Sequence, residues 1–398
     1  MLGKIRLLLA SAALACSSGA LADDIVVTGR SLKDTGADLQ ACIQRHCPPD
    51  EDVAASLAHA ENLFVAGDYN GAQHTLHAAL GRNRKHGKAY PLEVSNLLRA
   101  NGRVAEHMGE AKDYQLSTLD MRDTLKEGYG SNDFRTLVAQ IEVGDSRAKL
   151  GYPAEAERIY RDVEARALAA KQYRVASFAR LRLALVARTR FDAQPTAAYR
   201  KVLDERLAVL IEQPLPGGEE FALAAKVLRA REDRKGGSGA STDELVRHFA
   251  ATGGASRPIL LFSEPLSRVN PLEGLAGDQG QQREAWTRWS TNRNGQWIDV
   301  GFWIGADGHV SDAEVLRSSG RIDWAGPVLG NVTRRVYAPL RTGGDSAPGF
   351  YMVERYTLTA RVTEGETGTH LRTREATPRI EMLSLTPDTV DTPPKPKS

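Results

Sequence analysis

From about Ala54 to Ile211 the apolar positions recur at helical spacing, in an Ala-, Leu- and Arg-rich stretch cut by short turns. The turns in "LFVAGDY", "EHMGEAKDY" and "AKLGYPAEA" fall at Gly67, Gly109 and Gly151, at intervals of 42 residues. One more step reaches Ala193 in "RTRFDAQPTAAY", again between two helical runs. A small residue stands seven positions before each glycine turn (Ala60, Gly102, Gly144), and Ala72, Tyr114, Ala156 and Ala198 lie five positions after the four breaks. A helix–turn–helix unit that cannot bury its own apolar stripe has to stack on copies of itself. The pattern therefore predicts an α-solenoid over residues 51–234, with an irregular helical bundle as the alternative.

Two of these units, "AENLFVAGDYNGAQHTL" and "GDSRAKLGYPAEAERIY", resemble tetratricopeptide repeats in their Ala-x-x-x-Phe/Leu-x-x-Gly-x-x-x-x-Ala spacing. The unit is longer than that family's repeat of about 34 residues, so the expectation is a TPR-like array. A break follows at "QPLPGGEE", then one more helical run to Arg234. The composition of "RKGGSGAST" predicts a flexible linker, placed at residues 235–256.

Beyond Arg257 the period changes to alternation. "WIDVGFWI" puts Ile298, Val300, Phe302 and Ile304 on one side of a strand, Asp307-Gly308 supplies a tight turn, and "VSDAEVLRS" returns as a second strand. From Asp323 a helix is expected, with Ala325, Val328, Leu329, Val332 and Val336 on one face and Pro339 as its stop. "FYMVERYTLTARV" reads as a third strand and "PRIEMLSL" as a fourth, before a tail at 387–398 too Pro-rich and polar to build a core. The fold expected is α+β multidomain: a TPR-like α-solenoid, then a small α+β domain with an antiparallel sheet over 257–386.

The run "VGFWIGADGHVSDAEVLRSSGRIDWAGPVLGNVTRRVYAPL" resembles the C-terminal domain of TonB proteins, over about residues 285–364. The resemblance implies a small sheet whose exposed edge captures the TonB box of outer-membrane receptors. Tyr351, Val353 and Arg355 of the third strand, with Trp303, are then the candidate partner-binding residues. The segment "DDIVVTGR" itself resembles a TonB box, which makes Ile25, Val26, Val27 and Thr28 candidates for strand addition to such an edge. A leader without order, or a locally paired strand, is the plainer reading of that segment. The chain departs from the family in having a helical array where a transducer has a membrane helix and spacer. Transmission of force from an inner-membrane motor is therefore not implied.

The start of the chain adds a compartment. Lys4 and Arg6, a short apolar run from Leu7 to Cys16, and Ala20-Leu21-Ala22 before two aspartates read as a signal peptide over 1–22, removed on export to the periplasm. Cleavage before Cys16 with lipid anchoring is the alternative. The 23–50 segment is a leader carrying Cys42 and Cys47, for which a disulfide, two free thiols or a redox pair remain open, Pro48-Pro49 helping the chain fold back. Lys+Arg at 52 against Asp+Glu at 50 leaves no global field to steer the chain to nucleic acid or anionic lipid. The expected partners are proteins.

No catalytic grouping stands out. In "GGDSAPG" the Ala347-Pro348 that follows removes backbone donors an oxyanion hole needs, so a turn is expected. His74 and His77 lack a third ligand nearby, and no metal or cofactor is expected. Trp286, Trp289, Trp297 and Trp303 crowd one span. Trp297 and Trp303 share the strand face opposite Ile298 and Phe302, so that face is either packed or a shelf for a peptide or glycan. The expectation is a non-enzymatic protein-interaction protein accessory to TonB-dependent transport, or else an envelope scaffold unrelated to transport.

Overall fold

The computed structural model describes residues 30–264, 266, 295–341, 349–363, 373–374 and 379–386. The signal and box segments (Ile25 to Thr28 included), Trp286, Trp289, residues 342–348 and the tail lie outside the described residues.

A run of helices comes first: α1 (Leu32–Gln44), α2 (Pro49–Val65), α3 (Tyr69–Asn83), α4 (Pro91–Met108), α5 (Ala111–Tyr129), α6 (Phe134–Lys149), α7 (Pro153–Ala169), α8 (Tyr173–Ala193), α9 (Ala197–Glu212), α10 (Glu219–Lys235) and α11 (Ala240–Ala251). Each packs on its sequence neighbours, and α2–α4, α6–α8 and α8–α10 also touch, as stacked pairs require. The four breaks at 42-residue spacing are the turns inside the pairs α2–α3, α4–α5, α6–α7 and α8–α9. Proline at N1 of α2, α4 and α7 starts helices where its missing N–H costs nothing. The small residues are there for contact: a Cβ on Gly144 would stand 2.4 Å from Tyr160 Cε1. Ala72 and Ala156 are fully buried, Tyr114 nearly so, whereas Ala198 is exposed, so the pattern fades in the fourth unit.

Two boundaries differ from expectation. The leader contains a full helix, α1, capped by Ser31, and a Cys42–Cys47 disulfide with Cα atoms 5.2 Å apart ties its last turn to the bend that precedes α2. The stretch read as a linker is mostly α11. Its Leu245 and Phe249 are buried against Val227, Ala230 and Leu261, an apolar pair that the neighbouring glycines and serine mask in composition.

The strand region holds β1 (Leu260–Phe262), β2 (Trp297–Ile304), β3 (Val310–Ser318), α12 (Ala325–Thr333), β4 (Val336–Tyr337), β5 (Phe350–Thr359), β6 (Val362–Thr363), β7 (Thr373–Arg374) and β8 (Arg379–Ser384). The main sheet is antiparallel in the order β3-β2-β5-β8. Ile298, Val300, Phe302 and Ile304 are all 0% exposed and pack with Trp324, Val328, Val332, Tyr356 and Leu358 beneath α12. The helix ends sooner than expected, because Val336 leaves it to pair with Phe262 as β4 against β1. No helix among the described residues is long and apolar enough to cross a membrane.

Candidate partner-binding surface

The sheet has a second face, opposite the core, and it is divided. Along β2 it carries Trp297, Asp299, Gly301 and Trp303, and β5 sets Thr357, Arg355, Val353 and Tyr351 opposite them. Trp297, Asp299, Arg355 and Thr357 are buried, while Val353, Tyr351 and Trp303 keep part of their surface in solvent.

The helical array covers the buried half. A Cβ on Gly67 would fall 2.3 Å from the indole nitrogen of Trp297, and one on Gly109 would fall 2.5 Å from the Ala360 carbonyl oxygen. Both glycines have positive φ (86° and 78°), the conformation in which a helix turns over without a side chain in the way. Three arginines then donate to helix C-terminal carbonyls at successive turns. Arg355 donates to Phe64 O and Val65 O, both at 2.8 Å, Arg379 to Glu106 O at 3.3 Å, and Arg361 to Lys149 O. Of these, Phe64 O and Glu106 O already accept from the turn amides Gly67 N and Gly109 N, so the arginines add a second donor there, and cations at a helix C-terminus also complement the helix dipole. The turns of the 42-residue repeat thus present carbonyl acceptors in a row, and the strand region reads four of them at three turns.

The charge beneath this seam is fully paired. Asp299 and Arg355 are both 0% exposed. Arg355 Nε and Nη2 donate to the two Asp299 oxygens at 2.7 and 2.9 Å, and Arg317 donates to the same carboxylate at 2.7 Å. The Arg355 guanidinium lies 3.8 Å from the centre of the Trp297 ring. Beside it, Thr357 Oγ1 stands 2.8 Å from His107 Nε2 and 3.1 Å from the Tyr69 hydroxyl, with Phe64, Tyr69 and His107 in mutual ring contact. Burial, helped by Arg355 and Arg379, lowers the His107 pKa to about 4, so it packs as a neutral ring. Burial also raises that of Tyr69, against the opposing pull of Thr357 and Arg355.

At the other end, α10 and α11 meet β1 through Val227, Ala230, Leu245, Phe249, Leu261 and Ala338. Arg231 closes that contact, donating to Leu260 O at 2.5 Å and to Leu261 O at 3.1 Å.

The expected binding residues separate accordingly. Arg355 is no edge residue: β5 lies between β2 and β8, and its side chain is buried in the seam. Val353 is likewise enclosed on its outer side, its carbonyl accepting from Leu385 N (2.8 Å) and its N–H donating to Thr386 Oγ1 (2.9 Å). Tyr351 and Trp303 do come together, ring centres 5.0 Å apart on the open half. His74 and His77 are exposed, and among the described residues no group of His, Cys, Asp or Glu is disposed to hold a metal ion. Sequence reasoning missed Tyr69, His107 and Asp299. The only hint was that the turn glycines recur, for reasons internal to the array as much as to the seam.

The free edges are β3 and β8, neither of which has a further strand on its outer side among the described residues. β3 is irregular: its register with β2 shifts twice, and Asp312 has φ of 51°. Bulges and charges of this kind blunt an edge. β8 pairs with β5 without a shift and exposes Met382 and Leu383.

No family model and no curated protein matches this chain. Two crystal structures from Podosopora anserina, described as "putative kinesin light chain nearly identical TPR-like repeats", are similar to it at 12% identity. One, a form carrying a single substitution, aligns with TM-score 0.38 over 46% of this chain and 85% of that one. The other aligns with TM-score 0.37 over 44% and 85%. The assignment of a helical repeat accordingly rests on this chain's own helix packing.

Proposed function

We propose that this chain is a non-enzymatic protein-interaction scaffold of the cell envelope that takes an extended peptide as an added strand on β8. The observation that carries this is the outer edge of β8, which pairs with β5 without a register shift and has no further strand on its outer side among the described residues, on a sheet fixed to the helical array. Leu385 N–H points to β5, and N–H direction alternates along a strand. The N–H groups of Ile380, Met382 and Ser384 therefore face outward, ready for main-chain pairing. The signal-like start and the Cys42–Cys47 bridge support a periplasmic setting.

The test is a titration of the synthetic peptide DDIVVTGR into the chain beginning at Arg30, followed by backbone amide shifts. The expected shifts cluster on β8 and vanish in Met382→Pro, which removes an outward donor without touching the β5 ladder. Shifts absent from β8 sink the strand-addition reading for this peptide.

In its narrower form the proposal makes the chain an accessory of TonB-dependent transport across the outer membrane. The resemblance noted above supports it, together with the order hairpin β2–β3, helix α12, strand β5. A specific observation favours the second reading, an envelope scaffold unrelated to transport and working through its helical array. The strand that the resemblance points to, β5, is already paired on both sides.

A further inference from the structure

The half-buried part of the second sheet face, where Trp303, Tyr351 and Val353 keep some surface in solvent, is an aromatic platform. Tyr351 lies across Gly301 so closely that a Cβ there would stand 2.1 Å from its hydroxyl and 2.8 Å from Leu316 Cδ1. Trp303 adjoins it, tilted at 52°. The Tyr351 pKa is raised first by burial and then by the Glu314 carboxylate, which places an acid at the platform's margin. Flat aromatic rings over a glycine floor, with an acid beside them, are the features that receive proline rings in an extended left-handed segment with a basic neighbour.

The chain supplies such a segment at the right place. β8 delivers it: Leu385 pairs with Val353, and Thr386 Oγ1 accepts from Val353 N–H, two residues from Tyr351 on the same face. The next residue, Pro387, has no N–H to continue the ladder, and "PDTVDTPPKPKS" follows with Pro393, Pro394 and Pro396 interleaved with Lys395 and Lys397. At about 3.1 Å per residue in polyproline II, Pro387 to Pro396 spans roughly 30 Å. The platform begins about two strand residues, roughly 7 Å, from the departure point. Reach is ample, and Lys395 and Lys397 complement Glu314.

We propose that the Trp303–Tyr351 platform is a docking site for a proline-rich segment, and that its occupant is this chain's own Pro387–Ser398. Tethering beside the site gives an effective concentration in the millimolar range, so weak stacking contacts suffice to keep it filled. This inference does not depend on strand addition at β8.

The experiment compares indole N–H resonances in the labelled full chain, Trp303 being assigned with Trp303→Phe. In full-length Pro393→Ala/Pro394→Ala/Pro396→Ala the Trp303 signal should move, while Trp324, buried on the core side, stays. A chain ending at Thr386 should give the same shifted signal, and about millimolar synthetic PDTVDTPPKPKS should return it toward the full-chain position. That recovery should fail in Tyr351→Ala. A Trp303 signal identical in the full chain and both tail variants overturns the proposal. A signal that depends on protein concentration overturns the assignment to the chain's own tail, because a second copy is then the source.

Discussion

Arg355 makes more of the seam than any other side chain, and its partners show what its loss costs. Replacing it with Met removes the buried partner of Asp299 and the donor to Val65 O, while Phe64 O keeps its bond from Gly67 N, leaving Arg317, half exposed, to offset the carboxylate. Breaking a buried pair from one side costs about 3–5 kcal/mol. Urea unfolding should show a loss of that size for Arg355→Met, against about 1 kcal/mol or less for Arg317→Met. Comparable losses for the two would mean that the seam does not depend on the buried guanidinium. His107 adds a pH dependence whose sign follows from its environment. Unfolded it titrates near 6.5, and folded near 4, because burial and the facing Arg355 and Arg379 disfavour its charged form. The unfolded state therefore binds the extra proton first. This contribution is complete above pH 6.5 and is lost as pH falls toward 4, by which point the loss is about 3 kcal/mol. His107→Gln should flatten that part of the stability–pH profile, and an unchanged slope between pH 6.5 and 4 would count against the assignment.

The repeat turns separate what the array needs from what the seam needs. Gly67, Gly109 and Gly151 all have positive φ, but an added Cβ meets Trp297 at the first, the Ala360 backbone at the second, and nothing within 4 Å at the third. Gly151→Ala should cost only the left-handed backbone penalty, about 1–2 kcal/mol. Gly109→Ala should cost clearly more, since backbone at 2.5 Å cannot swing aside. Equal losses in thermal or urea unfolding would show that the contact at Gly109 is soft. The same turns mark how far the sequence could be read. Helix breaks were legible because apolar spacing and glycine act locally. The β2–β3 hairpin was legible because Ile298 to Ile304 alternate and Asp307-Gly308 turns. Three features were hidden. α11 has two buried anchors, Leu245 and Phe249, behind a glycine- and serine-rich lead. The enclosure of β5 by β8 is a pairing across residues of mixed polarity that nothing local encodes. Arg355 and His107 look like ordinary surface and core residues until a turn from the opposite end of the chain is laid against them.

At the scale of the whole chain, the strand region meets the array twice, at the row of turns from Gly67 to Gly109 and again where α10 and α11 hold β1. A body fastened at both ends has little freedom to swing, and the physical expectation is that both parts unfold together. The sequence provides two separate reporters of this. All five tryptophans lie at positions 286, 289, 297, 303 and 324, outside the helical array, so indole fluorescence follows the strand region. Far-UV ellipticity at helical wavelengths follows the array, which holds α1 to α11. In urea the two signals should give coincident midpoints and slopes, the signature of a single cooperative transition. Arg355→Met should pull them apart, fluorescence changing at lower urea, because the strand region loses its main anchor while the stacked helices keep theirs. Separate transitions in the unaltered chain would mean that the seam is a weak contact between independent domains. The edge of β8 would then move with the sheet alone, without the array behind it.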